Sequence, residues 1–157
     1  MVPPGTYDHR EAMLVGITNQ GAPLSLEARV TAGGFFGGSR VSSSGIVRSR
    51  VGEAFSARLD YTRNDVSLPD GRFLTNLLKL RLSYSFTPRL YVQGLVQRND
   101  VVDLWSTNLR LGWLQAANTG LFLVYNENRA SERDPLGMGL RDRSFTVKYS
   151  HTFDLLD

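Results

Sequence analysis

The stretch Asp103–Asn126, DLWSTNLRLGWLQAANTGLFLVYN, governs the reading of the rest of the chain. Taken two residues at a time, Trp105, Thr107, Leu109, Leu111 and Trp113 fall in one phase, and Ser106, Asn108, Arg110 and Gly112 in the other. That is a period-2 strand with one apolar and one polar face. The apolar face begins and ends with Trp, roughly 27 Å apart at the rise of an extended strand. A short turn over residues 116–120 leads to a second strand, 121–126, which carries Tyr125 near its end. An apolar band about 25 Å tall with aromatics at both rims is what a membrane-barrel strand presents to lipid.

The same alternation recurs on both sides of this pair. It predicts strands over residues 7–18, 24–36, 39–51, 55–64, 73–86 and 90–99, and a last one over 143–153. The turns between them are rich in Gly, Pro and Asn: Asn19-Gln20-Gly21-Ala22-Pro23, Gly37-Gly38, Gly52-Glu53 and Thr87-Pro88. Residues 65–72, with Pro69-Asp70-Gly71, and residues 127–142 are expected as longer connections. No helical period of useful length interrupts the series. The fold expected is all-β, an antiparallel up-and-down meander of about nine strands. We read it as part of a transmembrane outer-membrane barrel, with residues 1–157 forming one barrel domain or a C-terminal barrel fragment.

Two patterns favour that reading over a soluble barrel or sandwich with a small apolar ligand inside. First, the strand charges keep to one phase: Glu27, Arg29, Arg40, Arg48, Arg50, Arg58, Asp60, Lys79, Arg81, Arg110 and Lys148. These are the expected lumen-facing charges. The expected lipid-interface aromatics are Tyr61, Tyr84, Phe86, Trp105, Trp113, Tyr125, Tyr149 and Phe153. Second, connections after strands one, three, five and seven read as short, those after four and eight as long and the one after six as intermediate, with only the one after two breaking the trend. Outer-membrane barrels alternate in this way, with the long loops outside.

Composition excludes several functions. With no Cys, there is no disulfide framework or thiolate metal site. The net charge of +3 is spread along the chain rather than clustered, so no nucleic-acid partner is expected. No run of 18 apolar residues exists to make a transmembrane helix. The first residues, MVPPGTYDHREA, lack the basic and apolar regions of a signal peptide.

Four segments, SYSFTPRLYVQGLVQ (83–97), LWSTNLRLGWL (104–114), LFLVYNE (121–127) and VPPGTYD (2–8), resemble the C-terminal barrel region of a family of uncharacterised bacterial outer-membrane proteins. Full-length members carry a signal peptide and an N-terminal carbohydrate-binding module similar to family nine. The family has no established activity, so the resemblance implies a fold and an outer-membrane location but no chemistry. It also implies partners: outer-membrane lipid, further N-terminal strands and a periplasmic carbohydrate-binding-like domain. The last strand resembles the C-terminal insertion signal of such proteins through Tyr149 and Phe153, with Lys148 where that signal usually has Gly.

No catalytic residue, cofactor or metal is expected, and the chain reads as a membrane anchor or pore wall rather than an enzyme. Of the two histidines, His9 and His151, the second sits at a strand end, where an interfacial residue is ordinary. Ser150 and His151 are adjacent, and adjacent strand residues point to opposite faces, so they form no dyad. Glu127, Glu132, Asp134 and Asp142 suggest a calcium loop, but Arg129, Arg133, Arg141 and Arg143 offset them. The basic excess of the polar phase admits two readings, a solvated wall paired with acids elsewhere or an anion-attracting lumen. Strand parity leads us to expect an incomplete barrel, because nine strands put the two chain ends on opposite sides of a membrane. A complete single-chain bacterial barrel has an even number of strands.

Overall fold

The computed structural model describes residues 10–116, 119–130 and 139–151. They form nine strands: β1 Glu11–Ile17, β2 Leu24–Phe35, β3 Gly38–Val51, β4 Phe55–Leu68, β5 Gly71–Thr87, β6 Leu90–Asn99, β7 Leu104–Ala116, β8 Thr119–Ala130 and β9 Leu140–Ser150. Each pairs antiparallel with its chain neighbour, so the sheet order is the sequence order. Described residues contain no helix.

Several connections differ from expectation. The expected loop 65–72 is a continued ladder closed by the two-residue turn 69–70. Asp65 pairs with Leu74 and Ser67 with Arg72 in register. The Arg72 guanidinium donates to Asp65 at 2.8 Å, and Asn64 donates to Thr75 at 3.2 Å. These cross-strand contacts neutralise the polar residues that made the segment look like a loop. Conversely, the connection after β1 spans residues 18–23 and is longer than the one after β4. The expected alternation of connection lengths therefore does not hold. Ladder length marks the difference instead: residues 71–75 of β5 pair with β4 and extend past the end of the β5–β6 ladder at Leu77 and Asn99.

The β2–β3 turn sits one residue earlier than Gly37-Gly38. Phe36 (φ 45°) and Gly37 (φ 78°) occupy the two left-handed positions of a type I′ hairpin. Gly38 is needed in the strand. A Cβ there would lie 1.9 Å from the Ser67 carbonyl oxygen, so glycine alone lets β3 approach β4. Strand β8 likewise runs on to Ala130 and β9 begins at Leu140, shortening the expected 127–142 connection.

The strands are staggered regularly. Their register links Leu24, Ser49, Ala57, Leu82, Gly94, Leu109, Tyr125 and Phe145 in one row across the sheet. The β3–β4 ladder ends one two-residue step beyond that row, at Val51–Phe55. The β6–β7 ladder reaches a further step, to Leu90–Trp113. The β7–β8 ladder reaches one step more, to Ala116–Thr119. Two residues per hairpin is one residue per strand. With ~3.4 Å rise and ~4.8 Å strand spacing, that stagger corresponds to strands slanted by about 35°, near the tilt of barrel strands.

Strand β1 pairs with β2 and β9 with β8, and no β1–β9 ladder exists among the described residues. Both lie at odd positions in a meander, so they run parallel to each other.

Candidate functional site

The register sorts side chains onto two faces. Glu27, Asp60 and Lys79 share one row, continued by Gln97, Ser106, Asn128 and Asp142. Arg48, Arg58 and Arg81 share the next, which begins at Ser25. By the period of two, Arg29, Arg40, Arg50, Arg110 and Lys148 lie on this same face. All eleven charges picked from the sequence therefore stand together.

Transverse hydrogen bonds knit this polar face. Ser106 donates to Asn128 at 2.6 Å, and Asn128 donates to Asp142 at 3.0 Å. Asn108 donates to Asn126, which donates to Ser144 at 3.2 Å. The face is the less accessible one: Ser25, Val66 and Ala130 are buried on it. It also carries apolar residues that break the simple pattern, among them Tyr91 and Phe122. The Tyr91 ring covers Gly112, where a Cβ would lie 2.4 Å from its Cζ. The Arg110 guanidinium sits 5.0 Å from the Phe122 ring centroid.

The opposite face is apolar and uncovered. Leu59, Leu82, Leu109, Phe145 and Tyr149 are exposed, the last two by 64% and 65%. No described element lies over them, and no large side chain of the described chain is fully buried. Tyr61, Tyr84, Trp105, Trp113, Tyr125 and Tyr149 are all on this face, and the Phe86 ring meets Tyr84 edge-on at 4.8 Å. Phe153 lies outside the described residues.

One expectation needs correction. Charges do not keep strictly to one phase, because Arg63, Asp65, Arg72, Arg98, Glu127, Arg129 and Arg143 sit on the apolar face. All of them are near the end that bears the β2–β3, β4–β5, β6–β7 and β8–β9 connections. They bound the apolar band there, and three aromatics at this end anchor to polar side chains by their hydroxyls or ring faces. Tyr61 donates its hydroxyl to Asn76 at 2.8 Å. Tyr125 donates to Glu127, which also receives Arg143 at 2.8 Å. Arg98, paired with Asp103, lies 5.6 Å from the Trp105 ring centroid. The boundary slants with the stagger: Arg63 on β4 stands two register rows beyond Glu127 on β8.

No family model, no curated protein and no solved structure matches the chain.

Among the described residues, the remaining sequence candidates are tied to their neighbours. Glu127 is held by Arg129 and Arg143, and Asp142 by Asn128. Glu132, Asp134 and Arg133 lie outside the described residues, as does His9. Imidazole Nδ1 of His151 is 3.4 Å from the Thr119 hydroxyl, and its ring stacks on Tyr149 at 6.2 Å. Described residues contain no cluster of three metal-ligating side chains.

Asp100, in the turn between β6 and β7, ties that turn to β5. It accepts from the Asn76 backbone N–H at 2.6 Å and from the Asn76 side chain. These bonds, the backbone one foremost, hold its carboxyl below the ordinary aspartate value of 3.8. A lowered value means the tie is fully present above the unfolded-state pKa and is lost as pH falls through the folded one. A carbon-13 titration of the Asp100 carboxyl should give a midpoint below 3.8. A midpoint at or above that value would show that the Asn76 bonds are absent in solution.

Proposed function

We propose that this chain is a wall segment of a bacterial outer-membrane β-barrel, serving as membrane anchor or pore wall and carrying no catalysis of its own. The observation that carries the proposal is the uncovered apolar face with aromatics towards both ends and a slanted charged boundary. In water, a contiguous apolar patch of that extent marks an interaction surface. A membrane plane cutting through tilted strands would draw its border across the register rows, as here. Between Trp105 and Trp113 the band runs roughly 27 Å along β7, or about 22 Å in height at a ~35° tilt, close to the ~25 Å band of such barrels.

The resemblance to the barrel region of the uncharacterised outer-membrane family agrees with this assignment. A soluble sandwich would need a second layer over the apolar face, and among the described residues none lies there. A soluble barrel holding a small apolar ligand would turn its apolar face inward, whereas here the less accessible face is the polar one. The two edges bear on partners. In hydrocarbon each unsatisfied backbone group costs several kcal/mol, so β1 and β9 require pairing. Because they are parallel, an odd number of further strands closes an antiparallel barrel. We assign that role to additional strands of the intact protein, with its periplasmic carbohydrate-binding-like domain beyond them.

The test is the solvent of the folded state. Refolded into detergent micelles, the chain should give a β-rich circular dichroism spectrum that it does not give in plain buffer. A monodisperse, β-rich monomer in buffer alone would overturn the proposal.

A further inference from the structure

The row Arg48, Arg58 and Arg81 places three guanidinium side chains directly opposite one another on β3, β4 and β5. Like charges so placed destabilise a sheet. Neighbouring acids offset them only in part. Asp60 takes Arg58 through both Nε and Nη2, at 2.7–3.0 Å. Glu27 reaches Arg48 at 3.5 Å, and the Gln20 side-chain Oε1 accepts from Arg48 at 2.6 Å. Arg81, Arg50 and Lys79 have no salt bridge or side-chain hydrogen bond among the described residues. Five cations therefore face two carboxylates. Across the sheet the row continues through Leu95 and Asn108, which supply no compensating charge.

The surface beside this row is hollow. A cleft of about 350 Å³ is lined by Arg58, Asp60, Thr62, Leu77, Lys79 and Arg81. A second cleft, lined among others by Gln20, Ser25, Arg48 and Arg50, shares Arg58 and Arg81 with it. The frame is rigid, because β3–β4 and β4–β5 pair without a bulge over their whole ladders.

We propose that this row is a binding site for phosphate-bearing solutes on the polar side of the wall. The proposal rests on the reading that this face meets water rather than lipid. Phosphate fits the donors better than a monocarboxylate does. Arg forks bind oxyanions through paired N–H groups, and a phosphate dianion presents three charged oxygens to several forks at once. Lys79 adds a point charge beside the cleft, and Asp60 keeps Arg58 in place while leaving the neighbouring guanidinium of Arg81 uncommitted.

Calorimetric titration of the full chain with inorganic pyrophosphate, at constant ionic strength, tests the site. The medium is whichever of micelle or buffer gives a β-rich spectrum, so failure of the membrane reading leaves the titration decisive. Saturable binding is expected, weakened about tenfold by Arg81→Gln and partly restored by Arg81→Lys, since one charge-assisted pair contributes about that factor. Arg29→Gln, on the same face but outside both clefts, should leave it unchanged. Circular dichroism of each variant confirms that it folds. Absence of saturable heat from the folded wild-type chain would overturn the proposal. So would equal weakening by Arg81→Gln and Arg29→Gln, because attraction would then belong to the whole face.

Discussion

Replacing Leu109 by Arg should lower the unfolding free energy in lipid vesicles by about 2–4 kcal/mol, the range for a cation placed at the midplane of a barrel's lipid face. Leu109 lies midway between Trp105 and Trp113, is 45% exposed and stands in register between Gly94 and Tyr125 on the apolar face. Leu111 is two residues nearer the Trp113 rim, and such costs fall toward the interface. Leu111→Arg should therefore cost less than Leu109→Arg. The residue between them points the other way. Arg110 stands between Gln93 and Val124 on the polar face, with its guanidinium over the Phe122 ring. Arg110→Ser should cost under about 1 kcal/mol, the worth of an exposed cation–π contact. Urea unfolding of the three variants in vesicles measures all of these. Equal costs, or a larger loss from Arg110→Ser, would refute the assignment of faces; a cost independent of depth would refute the lipid.

Gly38→Ala should destabilise the fold by about 1–3 kcal/mol, as overpacking against an unyielding neighbour does. The added methyl would lie 1.9 Å from the Ser67 carbonyl oxygen and 2.9 Å from Leu68 Cα. Backbone cannot rotate aside as a side chain can, so the ladder between β3 and β4 must open at that end. Gly45 provides the comparison. It is also in β3, but a Cβ there meets nothing nearer than the Glu27 carbonyl oxygen at 4.0 Å. Gly45→Ala should be neutral or slightly stabilising, because alanine has less backbone freedom to lose on folding. Denaturation midpoints rank the two variants, and faster amide exchange at Ser39 and Arg40 would locate the damage. Equal midpoints would show that the close approach at Gly38 is absent in solution.

Much of this architecture follows from local pattern alone. Strand existence and the two faces of each strand were legible because a side-chain period of two is a property of each strand by itself. Trp105, Leu109 and Trp113 share a side wherever the strand is placed, and Arg110 must oppose them. For the same reason all eleven charges of the polar phase could be named before any pairing was known. The strand ends were harder to read. Asn64, Asp65, Arg72 and Thr75 look like loop residues one at a time, and only their pairing across β4 and β5 makes them a ladder. The position of the β2–β3 turn was hidden in the same way, since the demand on Gly38 comes from Ser67, 29 residues away in the chain.

Relations between strands belong to the tertiary structure. Arg48, Arg58 and Arg81 could each be assigned a face, but not a common row. That row depends on register, which is set by hairpin geometry across three strands. The slanted border formed by Arg63, Arg98, Glu127 and Arg143 likewise emerges only once the one-residue stagger per strand is known. Period two carries face information along a strand and none between strands. Backbone pairing supplies the second dimension, and with it the tilt, the charged border and the arginine row.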